Sequence, residues 1–505
     1  MTTAQKKTTF EVLPVKRDHY AMIIGGERLE GTNVATTYNP ATGNPVATYA
    51  KATKEEAELA IQAARKAFDF GKWKKFPVGK RARTLNKIAG IMRSRFQELV
   101  ELEVLDSGKT VSAAQGQVMQ AIEDFEFYAG AIISHRGHVN NIPGPFTNTT
   151  QKEPVGVCAQ IIPWNYPMMM AAWKVAPALA AGCSIVLKPA SPTPLTAIVL
   201  TEICHEAGVP EGVVNIVPGS GSEVGNYLVE HKQVDKVAFT GSTPIGKDIM
   251  ARASDTLKRV TLELGGKSPS LIFDDADLDA AVYGSLWGIF YNTGQSCEAR
   301  SRIYVQRGIY DEFLEKFVAK TKKLTLGDTM EAGTHIGAII DEKQLQVIDG
   351  FVQSAKEQGA TILTGGKRAQ VHGFESGTWY EPTIITDVTQ DMDVVQQEIF
   401  GPVVVVMPFD DEKEAIRLAN DTVYGLGSAV WTTNHGRANR VASAIQAGIV
   451  MVNSPLSAFP GTPFGGYKQS GFGRELCVET LDLYTETKSI VSYIGEKPLN
   501  LFGIE

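Results

Sequence analysis

The chain has 505 residues, 43% hydrophobic and 21% charged, which is the balance of an ordinary globular protein and too long for a single core. Its net charge of −7 supplies no basic face for a nucleic acid. MTTAQKKTTFEVLPVKRDHY at the start holds no signal-peptide core, and the most apolar stretch, AAWKVAPALAAGCSIVLK, is broken by Lys174 and Pro177, so no membrane partner is expected.

Helical periodicity is strong over 54–68 and over 83–108, the second run ending at a Gly cap. The stretch 138–156 fits neither helix nor alternating strand. From about residue 155 short apolar strands alternate with helices: GVCAQIIP before a helix from about 168, SIVLKP before TPLTAIVLTEICHEAG, VVNIVPG before EVGNYLVEHK, and KVAFTG before IGKDIMARAS. Four such units make a parallel, doubly wound sheet, whose ligands bind along the edge formed by the strand ends. A second series follows GGKSP: the helix DADLDAAVYGSLWGIFYNTG, the strand RIYVQR, the helix YDEFLEKFVAKTKKL and the strand VVVVMPF. The fold class is therefore α/β, with two doubly wound parallel-sheet domains. The tail from Leu476 lies outside both series.

Five cysteines (Cys158, Cys183, Cys204, Cys297 and Cys477) are scattered without a C-x-x-C pair, and the histidines form no H-E-x-x-H. Neither a disulfide framework nor a metal site is expected, and a reduced, cytoplasmic setting is. Cys297, in YNTGQSCEARSR, reads either as a buried packing thiol or as a nucleophile, with Gly294 allowing close approach of backbone to a ligand. GSGSEVG (219–225) is one residue too long for the dinucleotide fingerprint, and FTGSTPIG (239–246) is either a plain strand-to-helix turn or a pyrophosphate site. Glu263, between Leu262 and Leu264, stands on a solvated face or in a functional cleft. Asn165, in PWNYP, is a turn-former or a fixed donor.

In order, PWNYP, LKPAS, FTGSTPIG, LELGGKSP, GQSC, QEIFGPV and PFGGYKQSGFGRE resemble the aldehyde dehydrogenase superfamily, and the resemblance covers almost the whole chain. The spacing from Glu263 to Cys297 (297 − 263 = 34) fits it too. The resemblance implies that Cys297 is the nucleophile, Glu263 the general base, and Asn165 with the Cys297 N–H the oxyanion hole. Glu475 is implied as a proton-relay partner of Glu263, or else as one half of a salt bridge. Lys188, Ser191, Gly221, Gly225, Ser242 and Ile245 would line the adenosine and pyrophosphate site, with Ile161, Pro163, Trp164, Phe239, Gly241 and Leu264 also on the cofactor side. Glu398 would hold the nicotinamide ribose beside Phe400. Tyr166, Met170, Trp173, Trp287, Tyr291, Ser296, Phe459 and Phe464 would form a substrate tunnel.

By the same resemblance, residues 1–137 and 155–266 form a Rossmann-like NAD(P)-binding domain and 267–475 a catalytic domain. Residues 138–154 and 476–505 form a small β oligomerisation element that adds strands to a partner's sheet in a homo-oligomer, a tetramer or a dimer. The implied reaction is oxidation of a small-molecule aldehyde to the acid with NAD. One departure is Ser191, where many NAD-preferring relatives carry a Glu that repels a 2′-phosphate. NADP is therefore expected to be accepted as well, with Lys188 free to pair with the phosphate. A coenzyme A-acylating enzyme, a non-catalytic structural protein and a thiol esterase are the competing readings. The first is disfavoured by Glu263, and the second by the presence of all three catalytic residues. Among substrates, betaine aldehyde, trimethylaminobutyraldehyde and simple aldehydes all fit an aromatic tunnel.

Overall fold

The computed structural model describes residues 12–503, so the expectation for the first eleven residues lies outside it. The expected helix at 54–68 spans Lys54–Phe70. The Thr53 hydroxyl accepts from the Glu55 N–H and the Glu56 carboxylate accepts from the Thr53 N–H at 2.8 Å, which closes the helix start. The run expected as one helix over 83–108 is two, Val78–Ser94 and Phe96–Ser107, broken at Arg95 (φ −112°, ψ 19°). Periodicity does not register one non-helical residue, because the apolar stripe of Leu85, Ile88 and Met92 continues in Leu99 and Leu102. Gly108, at φ 69°, caps the second helix as expected.

The first large sheet has eight strands. Its five central strands are parallel, in the order Arg259–Glu263, Lys236–Thr240, Val157–Ile161, Ser184–Lys188 and Val214–Ile216. Met22–Ile24 and Glu27–Leu29 extend one edge antiparallel, and Gly471–Phe472 extends the other. The strand order reverses between Val157–Ile161 and Lys236–Thr240, and the segment after the first of these is PWNYP. A crevice outside the strand ends at such a reversal is where a ligand enters an open α/β sheet.

The second large sheet runs Thr361–Thr364, Thr383–Thr386, Val403–Phe409, Arg302–Gln306, Pro269–Ile272, Gly427–Trp431 and Ile449–Val452, parallel except at its first pair. Both sheets read as continuous apolar strands because helices cover both faces. The stretches that fitted neither pattern pair with each other: Phe146–Pro154 lies antiparallel to Thr485–Tyr493, with Val139–Asn140 beyond it. His19–Tyr20, Pro45–Lys51 and Asn33–Tyr38 form a further small sheet. No described helix is long and apolar enough to cross a membrane.

Candidate active site

Three elements converge at the first sheet's reversal point. Helix Pro167–Ala181 is buried along its whole length and apolar but for Lys174, and starts on Pro167, whose fixed φ suits a first helical position. That start pins Asn165, two residues upstream, in a buried position. The expected helix at 275–294 spans only Leu278–Phe290, because Asn292, Thr293 and Gly294 follow it in the left-handed region (φ 50°, 59° and 70°). Two non-glycine residues hold that conformation because tertiary bonds over-determine it. The Gly337 N–H donates to Thr293 Oγ1 (2.9 Å), Gln295 Nε2 donates to the Ala338 carbonyl (3.2 Å), and the Ile340 N–H donates to Gln295 Oε1 (2.9 Å). Gly294 has no substitute here, since a Cβ would lie 2.1 Å from the Gly401 carbonyl oxygen. This clamped turn presents Cys297.

Asn165 Nδ2 donates to the Gln295 carbonyl at 2.9 Å, so one of its two hydrogens fixes the amide against the cysteine loop and the other remains available. The Cys297 N–H donates to no backbone carbonyl among the described residues. Asn165 and Cys297 line one cavity, which gives it two N–H donors of the kind an oxyanion hole would use. Glu263 ends strand Arg259–Glu263 in the cleft, not on a solvated face: it is buried, and neither carboxyl oxygen has a hydrogen-bond partner among the described residues. Leu262 and Leu264 are buried too, which is why alternation along the strand could not decide the matter.

Glu475 forms the salt bridge. Its Oε1 accepts from Lys174 Nζ at 2.8 Å, and Lys174 also donates to Thr240 Oγ1 at 2.6 Å. Its second oxygen has no hydrogen-bond partner among the described residues, and its charge acts on Glu263. Lys174 was legible only as an interruption of an apolar run. A charge inside an all-apolar helix was the signal of a buried ion pair.

Two cavities meet at the thiol. The first is lined by all eight expected tunnel residues, Tyr166, Met170, Trp173, Trp287, Tyr291, Ser296, Phe459 and Phe464, together with Cys297 and Glu263. Gln117, Gln120, Met169, Thr240, Glu298 and the loop Pro455–Ala458 complete it, none of which the sequence had marked. The second cavity is lined by Pro163, Trp164, Gly241, Ser242, Glu398 and Phe400 of the expected cofactor set, and also reaches Asn165, Cys297 and Glu263. Gln344 and Val347 are unexpected members of its wall.

The other expected cofactor residues lie outside that wall. Ile161 and Phe239 sit near the ends of the two strands flanking the reversal, and Ile245 is exposed on the first turn of helix Thr243–Ala253. Leu264 underlies that helix, so closely that a Cβ on Gly246 would meet its side chain at 2.5 Å. Gly221 and Gly225 bound a wide turn, Gly221–Gly225, and Ser191 Oγ contacts the Gly219 carbonyl just before it (3.3 Å). Lys188 is not free as expected. It is buried, with Nζ donating to the Pro189 carbonyl (2.9 Å), and burial lowers its pKa to about 8.

The second cavity suits a dinucleotide on three counts. Ser242 makes no side-chain cap to helix Thr243–Ala253, leaving first-turn N–H groups without a side-chain partner where a pyrophosphate would be held. The Glu398 carboxylate, accepting from the Gly266 N–H at 3.0 Å, is placed for ribose hydroxyls. Gly265 keeps that approach open, because a Cβ there would lie 2.3 Å from Glu398 Oε2.

Burial raises the proton affinity of Cys297, Glu263 and Glu398 alike. Burial, then the carboxylates of Glu398, Glu298 and Glu263, push the Cys297 thiol well above its ordinary range. Burial and the charge of Glu475 likewise raise Glu263 well above the usual carboxylate range, against Lys174 and Arg474. Burial brings Glu398 to about 7. A thiol with a raised pKa is neutral below that value and ionises as pH rises through it. Alkylation of Cys297 by iodoacetamide in the ligand-free protein should therefore be slow near pH 7 and climb about tenfold per pH unit on the alkaline side. Cys158, Cys183, Cys204 and Cys477 are buried and should stay unmodified on that timescale. Mass spectrometry of the labelled peptides checks both statements; a rate flat between about pH 6 and pH 9 would mean a preformed thiolate.

Residues 29–490 match the Aldehyde dehydrogenase family. The chain belongs to that family. It is 42% identical over 480 residues to a betaine aldehyde dehydrogenase of Bacillus subtilis, covering 94% of this chain and 98% of the relative. Among solved structures it resembles a betaine aldehyde dehydrogenase from Staphylococcus aureus in complex with NAD+, with a TM-score of 0.94, 41% identity and coverage of 96% of this chain and 97% of the other. An aldehyde dehydrogenase from Bacillus cereus, an NAD+ complex, gives a TM-score of 0.93 at 43% identity, over 97% and 100% of the two chains. At this likeness the two doubly wound sheets and the small β element are the family's fold.

Proposed function

We propose that this member of the family oxidises an aldehyde to the carboxylic acid with NAD(P)+, using Cys297 as nucleophile, Glu263 as base and Asn165 as oxyanion donor. The observation that carries the reading is the meeting of the two cavities at Cys297. A nucleophile reached from both sides can hold a substrate carbon on one face and a redox cofactor on the other. The Cys297 thiolate adds to the aldehyde carbon, and the resulting oxyanion accepts hydrogen bonds from Asn165 Nδ2 and the Cys297 N–H. When bound in the second cavity, the nicotinamide supplies a cationic ring that accepts a hydride. The thioester left on Cys297 is then open to a water that Glu263 deprotonates. A carboxylate whose burial raises its proton affinity is the stronger base for that step once ionised. Formation of NADH from a simple aldehyde, with the acid as product, tests the reading; formation of an acyl-coenzyme A instead would refute it.

The 138–154 and 476–505 segments are proposed to carry homo-oligomer contacts. Thr485–Tyr493 is an edge strand with its outer side exposed, which favours pairing with another chain.

Ser191 carries the cofactor choice. It is exposed, uncharged and within reach of the glycine turn, so nothing at this position repels a 2′-phosphate. NAD and NADP should then differ by less than about two orders of magnitude in kcat/KM, each tenfold step being about 1.4 kcal/mol. Ser191→Glu should depress NADP use far more than NAD use, because a like-charge pair replaces a neutral contact. Steady-state kinetics with both cofactors at one salt concentration decide it. A preference for NAD above about a thousandfold in the unmodified enzyme would assign the exclusion to another group.

A further inference from the structure

The charges on the tunnel wall are one-sided. Among the described residues that line it only Glu263 and Glu298 are ionisable carboxylates, and no Lys, Arg or His contributes. Glu263 lies at the reacting centre. Glu298 follows the nucleophile directly in the chain, and 18% of its side chain stays exposed within the tunnel. Its counter-ion is behind the wall: Arg300 is 2% exposed, with Nη1 on Glu298 Oε2 (2.8 Å) and Nη2 on the Pro455 carbonyl (2.6 Å). Gly288 leaves room for that guanidinium, since a Cβ there would lie 2.4 Å from Arg300 Nε. Of this pair Glu298 lines the tunnel and Arg300 does not, and the Ser457 side chain, also on the tunnel wall, hydrogen-bonds to the carboxylate. Aromatic faces stand in the same cavity, Trp287 and Tyr291 stacked at 4.4 Å and Trp173 edge-on to Phe464 at 4.9 Å, and these also attract cations.

We infer that the Glu298 carboxylate, beside the nucleophile in a tunnel without basic side chains, selects aldehydes that carry an ammonium or trimethylammonium group and rejects anionic ones. The inference rests on the proposed function for its substrate chemistry, but not for the binding preference itself.

Two measurements separate these. The first needs neither cofactor nor turnover: protection of Cys297 from iodoacetamide by choline, compared with the neutral alcohol in which carbon replaces the quaternary nitrogen. Choline should protect at about tenfold lower concentration or better, and Glu298→Gln should remove most of that advantage while Glu298→Asp keeps it. The second is kcat/KM for betaine aldehyde, its neutral carbon isostere and succinic semialdehyde. The cation should be used best and the anion worst, and the cation-to-neutral ratio should fall about tenfold in Glu298→Gln. An unchanged ratio in Glu298→Gln, or equal use of the anion by the unmodified protein, overturns the inference. If Glu298→Gln does not fold, the three-aldehyde order and the choline comparison on the unmodified protein still decide it. Choline protection without oxidation of any aldehyde would refute the proposed function and leave the cation site standing.

Discussion

Cys297→Ser should lose NADH formation by more than about a hundredfold while binding NAD nearly as well as the unmodified protein. The size of the loss follows from the chemistry being removed. A hydroxyl in the same place is a far weaker acid than a thiol, and the surroundings that already push the thiol up, burial and three carboxylates, would penalise an alkoxide more. Binding should survive because the Cys297 side chain makes no hydrogen bond that holds either cavity together, and because the turn presenting it is clamped through Thr293 and Gln295. Quenching of protein fluorescence by the cofactor, beside steady-state rates, separates the two effects. If more than about a hundredth of the activity remains, the covalent step does not run through this residue. If binding and activity fall together, the substitution has disturbed the turn, and Cys297→Ala then reads the chemical loss without a new hydroxyl.

How far the site could be read from the sequence depended on the range of the interactions behind each residue. Cys297, Glu263 and Asn165 stand in short motifs, and the structure brings them to one point because each motif ends or begins an element of regular geometry. The eight tunnel residues converge because they stand in or close to those same motifs in the chain. What escaped the sequence is what depends on distant partners. Lys174 and Glu475 are 301 residues apart, so nothing local marked them as a pair. The left-handed Asn292 and Thr293 read as the end of a helix, since the bonds that force them out of it come from residues 337–340. Lys188 reads as a free cation until strand Ser184–Lys188 is seen to bury it. Glu298 was hidden for a different reason. Nothing in the local sequence marks Glu298 as half of an ion pair with Arg300, a residue that does not itself line the tunnel.

Glu263→Gln should divide the reaction in two, with a burst of NADH close to one per site and then a steady rate lower by about two to four orders of magnitude, the usual worth of a general base. Glutamine keeps the shape of a side chain whose oxygens have no hydrogen-bond partner to lose among the described residues, so the fold should be unaffected. It cannot take a proton from water, so the thioester on Cys297 should persist and be visible by intact mass spectrometry. The variant also carries an electrostatic signature. Glu263 is one of the carboxylates that raise the Cys297 thiol, and removing its charge should shift the alkylation profile toward lower pH, with the thiolate appearing earlier as pH rises. The opposite outcome has a definite meaning. Absence of both burst and acyl-enzyme, with slower alkylation at every pH, would show that Glu263 takes the thiol's own proton. Its place in the reaction would then precede the formation of the covalent bond.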